Sequence, residues 1–118
     1  MIVTEGKNNI LRHFFDTPIV PAWQVGIIDS TGFSVIAVTD TLALHPGWNE
    51  MSIARRVCSW DVDINLEDEV VFQFLAPGTM RGYFICTDTF LWSAIDLGNV
   101  VVAAGDYFVL SNYHVTVT

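Results

Sequence analysis

The acidic segment from Asp61 to Glu69 carries the pattern in this chain that most resembles a metal site. It reads D-V-D-I-N-L-E-D-E, and alternating oxygen ligands of this kind can converge on a hard cation such as Ca²⁺. The pattern then breaks, because Leu66 stands where an EF-hand loop requires Gly and Phe72 stands where it requires a bidentate Glu. The sequence therefore favours a solvated acidic loop between two strands and leaves cation binding open.

Other catalytic arrangements are weaker still. His13, His45 and His114 are far apart and have no short ligand spacing. The chain has no G-x-S-x-G elbow for a nucleophilic serine and no glycine-rich phosphate loop. A glycosidase pair of carboxylates stays open, because thirteen acidic residues give many accidental pairs. We therefore predict that the chain is not an enzyme, with no catalytic residues, no metal and no cofactor.

The tryptophans are the remaining candidates for ligand binding, as stacking platforms for sugars. Trp is also the largest core residue and a common anchor of protein interfaces, so core or interface is the favoured interpretation. The best sugar candidate is Trp48, because it follows the turn marker Pro46-Gly47. The four residues are Trp23, Trp48, Trp60 and Trp92.

The two cysteines, Cys58 and Cys86, form no metal or redox motif. A cytosolic protein rarely keeps a disulfide. We therefore predict two small buried thiols, although a single disulfide between them is formally allowed.

The composition points to a protein covered by partners. Hydrophobic residues make up 52% of the 118 residues and charged residues only 15%, and a small monomer normally needs a more polar surface. No stretch reaches the roughly 18 apolar residues of a membrane span, and the N-terminus does not resemble a signal peptide. We therefore expect no membrane partner, synthesis in a cytosol, and burial of apolar patches in an assembly.

The charge argues against nucleic acid as a partner. The net charge is −8, and the only adjacent basic pair is Arg55-Arg56. Phosphate binding requires Lys and Arg, which are scarce here.

The elements read as one helix followed by short strands. A helix is predicted over residues 4–15, with Ile10, Leu11 and Phe14 on one face, and the Pro at position 18 ends it. Strand signals follow to the end of the chain, interrupted by turn sequences such as Asp29–Gly32. The predicted strands are Trp23–Ile28, Phe33–Val38, Glu50–Trp60, Val70–Ala76, Met80–Thr87, Leu91–Ile95, Asn99–Ala104 and Tyr107–Thr118.

Alternation assigns faces to two of these strands. Val70, Phe72, Phe74 and Ala76 share one face, and this strand is predicted to form a hairpin with Met80–Thr87. In the last strand, one apolar face is expected to carry Tyr107, Val109, Tyr113, Val115 and Val117, with Asn112, His114, Thr116 and Thr118 on the wetter face. The prediction is a single all-β domain over residues 1–118, β-sandwich-like or jelly-roll-like, with a short N-terminal helix.

Several segments, in order, resemble a family of small virion proteins of tailed bacteriophages. The family opens with N-x-G-x-N-x-L-L-D, here Glu5–Leu11, and continues as W-x-V/L-G-L-I-D-N-x-G-F/Y, here Trp23–Phe33. Then follow D-T-M-A-S-H-x-G-W-x-E, V-R-G-x-F-L and L-W-S/F-S-A, with a final G-D-x-L-x-V-T-Y-T-x-T. These later segments are Asp40–Glu50, Met80–Ile85, Leu91–Ala94 and Gly105–Thr118.

The resemblance implies a virion structural protein, and capsid decoration (cement) is our first assignment within it. It implies the major capsid protein and other copies of the chain, as a dimer or trimer, as partners on the capsid exterior. The alternatives are a tail or fibre component that binds a host-surface glycan and, more weakly, a small hydrolase. The chain departs from the family at Leu44, which replaces Ser, and along residues 55–69. The predicted contact residues are Ile10, Phe14, His45, Trp48, Arg55 and Arg56.

Overall fold

A computed structural model describes residues 1–6, 23–58, 66 and 69–111. Residues 4–6 form a helical turn, and the rest of the predicted helix, with Ile10 and Phe14, lies outside the described residues. The strands are β1 (Trp23–Asp29), β2 (Asn49–Glu50), β3 (Arg56–Cys58), β4 (Val70–Gln73), β5 (Gly78–Cys86), β6 (Leu91–Val102) and β7 (Tyr107–Leu110). The predicted mostly-β fold class is confirmed in these residues.

Five strands form the larger sheet. Its order is β2-β1-β5-β6, β3 also pairs with β1, and every pairing is antiparallel. The N-terminal residues continue the sheet at the free side of β6, where Ile2 bridges Ser93 and the Val3 N–H donates to the Trp92 carbonyl oxygen at 3.0 Å. The second sheet contains only β4 and β7.

The larger sheet is covered on both faces, which gives two hydrophobic clusters. Alternate side chains of β1 point to opposite faces, so Ile27 joins one cluster and Ile28 the other. The first cluster lies against β4 and β7 and includes Val25, Ile27, Ile85, Phe72, Phe74 and Leu110. The second lies under residues 30–48 and includes Val3, Ile28, Phe84, Leu91, Ala94 and Trp48.

Gly26 is required by the second cluster. A Cβ atom at this position would lie 2.2 Å from Cζ of the Phe84 ring. The phenyl ring therefore occupies the space that any larger residue on β1 would need.

One predicted strand and one predicted pairing are wrong. Phe33–Val38 is not a strand: residues 33–48 run without regular structure across the second face of the sheet. The predicted hairpin of Val70–Ala76 with Met80–Thr87 is not formed, because β4 pairs with β7 and β5 pairs with β1 and β6. Alternation identifies which residues are buried, but it does not identify the partner strand.

Boundaries and faces also differ from the predictions. Leu91–Ile95 and Asn99–Ala104 are parts of one strand, β6, whose register shifts opposite Met80–Gly82. The predicted strand over residues 50–60 is two short strands, β2 and β3, as far as it is described. In β7, Tyr107 and Val109 are exposed and Leu110 is buried, so the predicted apolar face is reversed there.

Candidate interaction surface

Residues 30–48 form a loop that lies over the second face of the larger sheet, and we call it the cover loop. It begins with the predicted turn, in which the Asp29 carboxylate accepts a hydrogen bond from the Thr31 N–H at 3.1 Å. Gly32 follows with φ +76°, which a glycine adopts without strain. This turn does not lead into a return strand, because β1 is already paired with β2 and β3 on one side and with β5 on the other.

A buried carboxylate holds the cover loop in shape. Asp40 is only 3% exposed, and its Oδ2 accepts hydrogen bonds from the Ala37 N–H at 2.9 Å and from Trp48 Nε1–H at 3.0 Å. Buried polar groups are stable in proteins when their hydrogen bonds are made. This carboxylate therefore ties the middle of the loop to its end.

Trp48 anchors the loop to the sheet. Its indole is 1% exposed and lies against Phe84, with ring centroids 5.2 Å apart. The indole therefore lies in the core, and in this structure it has no free face for the predicted partner contact or for the alternative of sugar stacking. Its turn-rich sequence surroundings indicate a loop correctly but not that the loop folds back onto the sheet.

His45 covers the other side of the indole. The two rings are nearly parallel, 3.8 Å apart between centroids, and His45 Nδ1 lies 2.7 Å from the Trp48 carbonyl oxygen. A carbonyl oxygen only accepts, so Nδ1 carries the proton in this contact. His45 is half-buried and is held in place by this contact and by the stacked indole.

The small residues of the same segment close the loop. Gly47 approaches the backbone so closely that a Cβ atom there would lie 2.0 Å from the Val35 carbonyl oxygen. The Gly47 carbonyl oxygen accepts from the Ser34 N–H at 2.7 Å, and Thr41 Oγ1 accepts from the Leu44 N–H at 2.9 Å. The D-T…H-x-G-W pattern is thus explained by the packing of the loop itself.

The N-terminal segment is hydrogen-bonded to the cover loop. The Thr4 N–H donates to the Val38 carbonyl oxygen at 2.9 Å. Oε2 of Glu5 accepts from the Leu42 N–H at 2.9 Å and from the Leu91 N–H at 2.8 Å. One carboxylate therefore joins the N-terminal segment, the cover loop and the start of β6, a role that the sequence pattern did not indicate.

The outer surface of the cover loop is uncharged. Residues 30–49 contain no Lys or Arg, and their only carboxylate is the buried Asp40. The surface instead exposes apolar side chains: Val35 is 56% exposed, Val38 is 52% and Leu44 is 69%. Depletion of charge together with exposed apolar groups is typical of the centre of a protein interface.

The two predicted arginine contacts lie outside this loop. Arg55 makes a bidentate ion pair with Glu50, in which Nε–H and Nη2–H each donate to a carboxylate oxygen at 2.8 Å. The guanidinium lies 5.4 Å from the Phe84 ring centroid. The Glu50 hydrogen bond raises the pKa of Arg55. Arg56 is exposed, and its Nε–H donates to the Val71 carbonyl oxygen at 3.1 Å. The structure therefore separates the two: Arg55 supports the second face, and Arg56 lies at the edge of β4.

Metal-ligating side chains and the two cysteines are the remaining groups that could do chemistry. In the described ranges no group of three His, Cys, Asp or Glu side chains is placed to hold a metal ion. Cys58 and Cys86 are both buried and are not joined in a disulfide, so the predicted buried thiols are confirmed. Burial raises the pKa of the Cys86 thiol to about 11. The Asp61–Asn65 part of the acidic segment lies outside the described residues.

Comparisons with protein-family models, with curated proteins and with solved structures gave no match for this chain. Among the described residues, no helix is long and apolar enough to cross a membrane. The features that indicate a function are therefore the surface described above and the resemblance of the sequence.

Proposed function

We propose that this chain is a structural protein of a tailed-bacteriophage virion, a capsid decoration protein with a β-sandwich- or jelly-roll-like fold. It is made in the host cytoplasm and binds the outer surface of the major capsid shell. The observation that supports this proposal most is the uncharged, apolar outer surface of the cover loop. In a chain of net charge −8, a partner can cover the exposed side chains of this loop without removing any charge of their own from water. The charged group beside them is Arg81, which is ion-paired with Asp96 and lies 4.3 Å from the Phe33 ring centroid.

The internal bonds of the cover loop suit it to this role. Ordering a flexible loop on binding reduces affinity, whereas a loop that is already fixed avoids that loss. Asp40, Trp48 and Glu5 fix the loop before any partner arrives. His45 then contributes by supporting the indole from outside.

The stabilising mechanism is thermodynamic linkage. A protein that binds only the expanded, mature form of the shell stabilises that form by mass action. The partners are the major capsid protein and other copies of the chain. The negative net charge and the small number of basic groups argue against a contact with nucleic acid.

The alternative of a tail or fibre protein that binds a glycan has less support. Its best platform was Trp48, and the buried indole offers no face to a sugar. We therefore propose decoration as the principal function.

Co-sedimentation with shells tests this proposal. Shells assembled without the chain are mixed with wild-type protein or with Leu44→Glu, and the bound fraction is measured by pelleting. We expect the charge at Leu44 to weaken binding by about tenfold or more, because it would be buried against the shell. The matched control is Val101→Glu, which changes an exposed apolar residue of β6 that is 81% exposed.

Two results would overturn the proposal. One is wild-type protein that does not pellet with shells. The other is a Leu44→Glu variant that pellets like wild type while the Val101→Glu variant does not, since binding would then depend on another surface.

A further inference from the structure

A cleft opens between the two sheets, and Thr31 is the one residue of the cover loop that lines it. It has a volume of about 590 Å³ and lies between residues 51–54 and the segment that joins β4 to β5. Its apolar lining includes Met51, Ile53, Phe72 and Phe74. A cleft of this size and character can receive a large apolar side chain.

An exposed apolar side chain that could enter such a cleft lies in the same surface region. Leu75 also lines the cleft, yet it is 85% exposed. A contact with two-fold symmetry uses one surface patch twice, so that patch must contain both the projecting group and the group that receives it. This patch contains both.

The charges that line the cleft are opposite in sign and well separated. Asp29 ends β1, and Arg56 pairs with Val25 of the same strand. Asp29 lies four positions after Val25, which corresponds to about 13 Å along a strand. A two-fold axis through the middle of the cleft would therefore place the Arg56 of each copy opposite the Asp29 of the other.

We propose that a second copy of this chain docks on the cleft through a two-fold axis. Leu75 of each copy enters the cleft of the other, and two Arg56–Asp29 ion pairs close the ends. This inference rests on the proposed function only for the nature of the partner, another copy of the chain. Apart from Thr31, the lining of the cleft lies outside the cover loop, which leaves Val35, Val38 and Leu44 available for the shell.

Sedimentation velocity over a concentration series tests the contact without any shell. The salt concentration is about 0.15 M, so that the repulsion between acidic copies is screened. Wild-type protein should shift from monomer to dimer as concentration rises. Leu75→Asp should raise the dissociation constant by about tenfold or more, because a carboxylate would enter an apolar cleft. Leu44→Asp, which changes another highly exposed residue that does not line the cleft, should dimerise like wild type.

A mixing experiment tests the symmetry. Arg56→Asp alone and Asp29→Lys alone should each stay monomeric, because each places like charges together at both ends. An equimolar mixture should dimerise, because the introduced carboxylate then faces the introduced ammonium and the native pair remains at the other end. Circular dichroism of each variant confirms that it is folded.

Three outcomes overturn the inference: wild-type protein that is monomeric at every concentration, a Leu75→Asp variant that dimerises normally, or a mixture that stays monomeric. Shell co-sedimentation is a separate measurement. Loss of shell binding with intact dimerisation would contradict the proposed function alone, and loss of dimerisation with intact shell binding would contradict this contact alone.

Discussion

Replacing Asp40 with Ala should release the cover loop from the sheet. The substitution removes the acceptor of two hydrogen bonds, from the Ala37 N–H and from Trp48 Nε1–H, and the acceptor is 3% exposed. A buried donor left without a partner costs about 1–3 kcal/mol. Two such donors, with partial relaxation of the loop toward water, give an expected loss of about 2–5 kcal/mol in the free energy of unfolding.

The conservative substitution sharpens this prediction. Asp40→Asn keeps a carbonyl oxygen that can accept both hydrogen bonds, but it removes the charge and replaces the second oxygen with an NH2 donor, so we expect a loss smaller than that of Asp40→Ala, about 1–3 kcal/mol. Urea unfolding followed by circular dichroism gives the free energies. Hydrogen exchange of the loop amides shows whether the loop opens before the rest of the fold.

The matched control is Asp88→Ala, which removes an exposed carboxylate and should change the free energy of unfolding by no more than about 0.5 kcal/mol. If Asp40→Ala and Asp88→Ala have the same effect, and the loop amides exchange as in wild type, then Asp40 does not hold the cover loop. Another contact would then have to anchor the loop.

Three further predictions concern the second cluster and the loop that covers it. Glu5→Ala should speed exchange of the Leu42 amide about tenfold through loss of the carboxylate acceptor, whereas Glu5→Gln should have a smaller effect; equal rates in all three proteins would contradict this. Gly26→Ala should destabilise the fold by about 1–3 kcal/mol because its Cβ overlaps the Phe84 ring. Chemical denaturation should show a smaller loss of stability from the same substitution in a Phe84→Leu background. An unchanged loss in that background would disprove the overlap. In a variant that retains only Cys86, a thiol reagent at about pH 8 should react no faster than the protein unfolds, because the thiol is buried and its pKa is about 11; rapid labelling of the native protein would show that the thiol is accessible.

Local chemistry could be predicted from the sequence. The Asp29–Gly32 turn forms where the sequence places it, since Asp, Ser, Thr and Gly each favour a turn for a local reason. The buried positions Val70, Phe72 and Phe74 follow from alternation. These features depend on only a few neighbouring residues.

Strand pairing could not be predicted in the same way. Val70–Gln73 and Tyr107–Leu110 pair although β5 and β6 lie between them in the chain. Alternation in β4 is equally compatible with the nearby β5 as a partner. The choice depends on which faces of the larger sheet need cover, and that is a property of the whole chain.

The cover loop was missed for a physical reason. Phe33 and the β-branched residues that follow it have high strand propensity, so Phe33–Val38 resembles the second strand of a hairpin. In the structure Phe33 and Ile36 pack on the second cluster without strand geometry. Propensity reports a preference for half-buried surroundings, which a packed loop can also supply.

The copy number of the chain in purified virions tests the proposed function most directly. Closed symmetry repeats a shell contact many times over the particle, so a decoration protein should be present in hundreds of copies, whereas a tail or fibre component should be present in a handful. Quantitative protein analysis of particles, scaled to the major capsid protein, gives the number. We predict a high copy number that falls when the shells are prepared with the Leu44→Glu variant, and a low copy number with wild-type protein would contradict the decoration assignment.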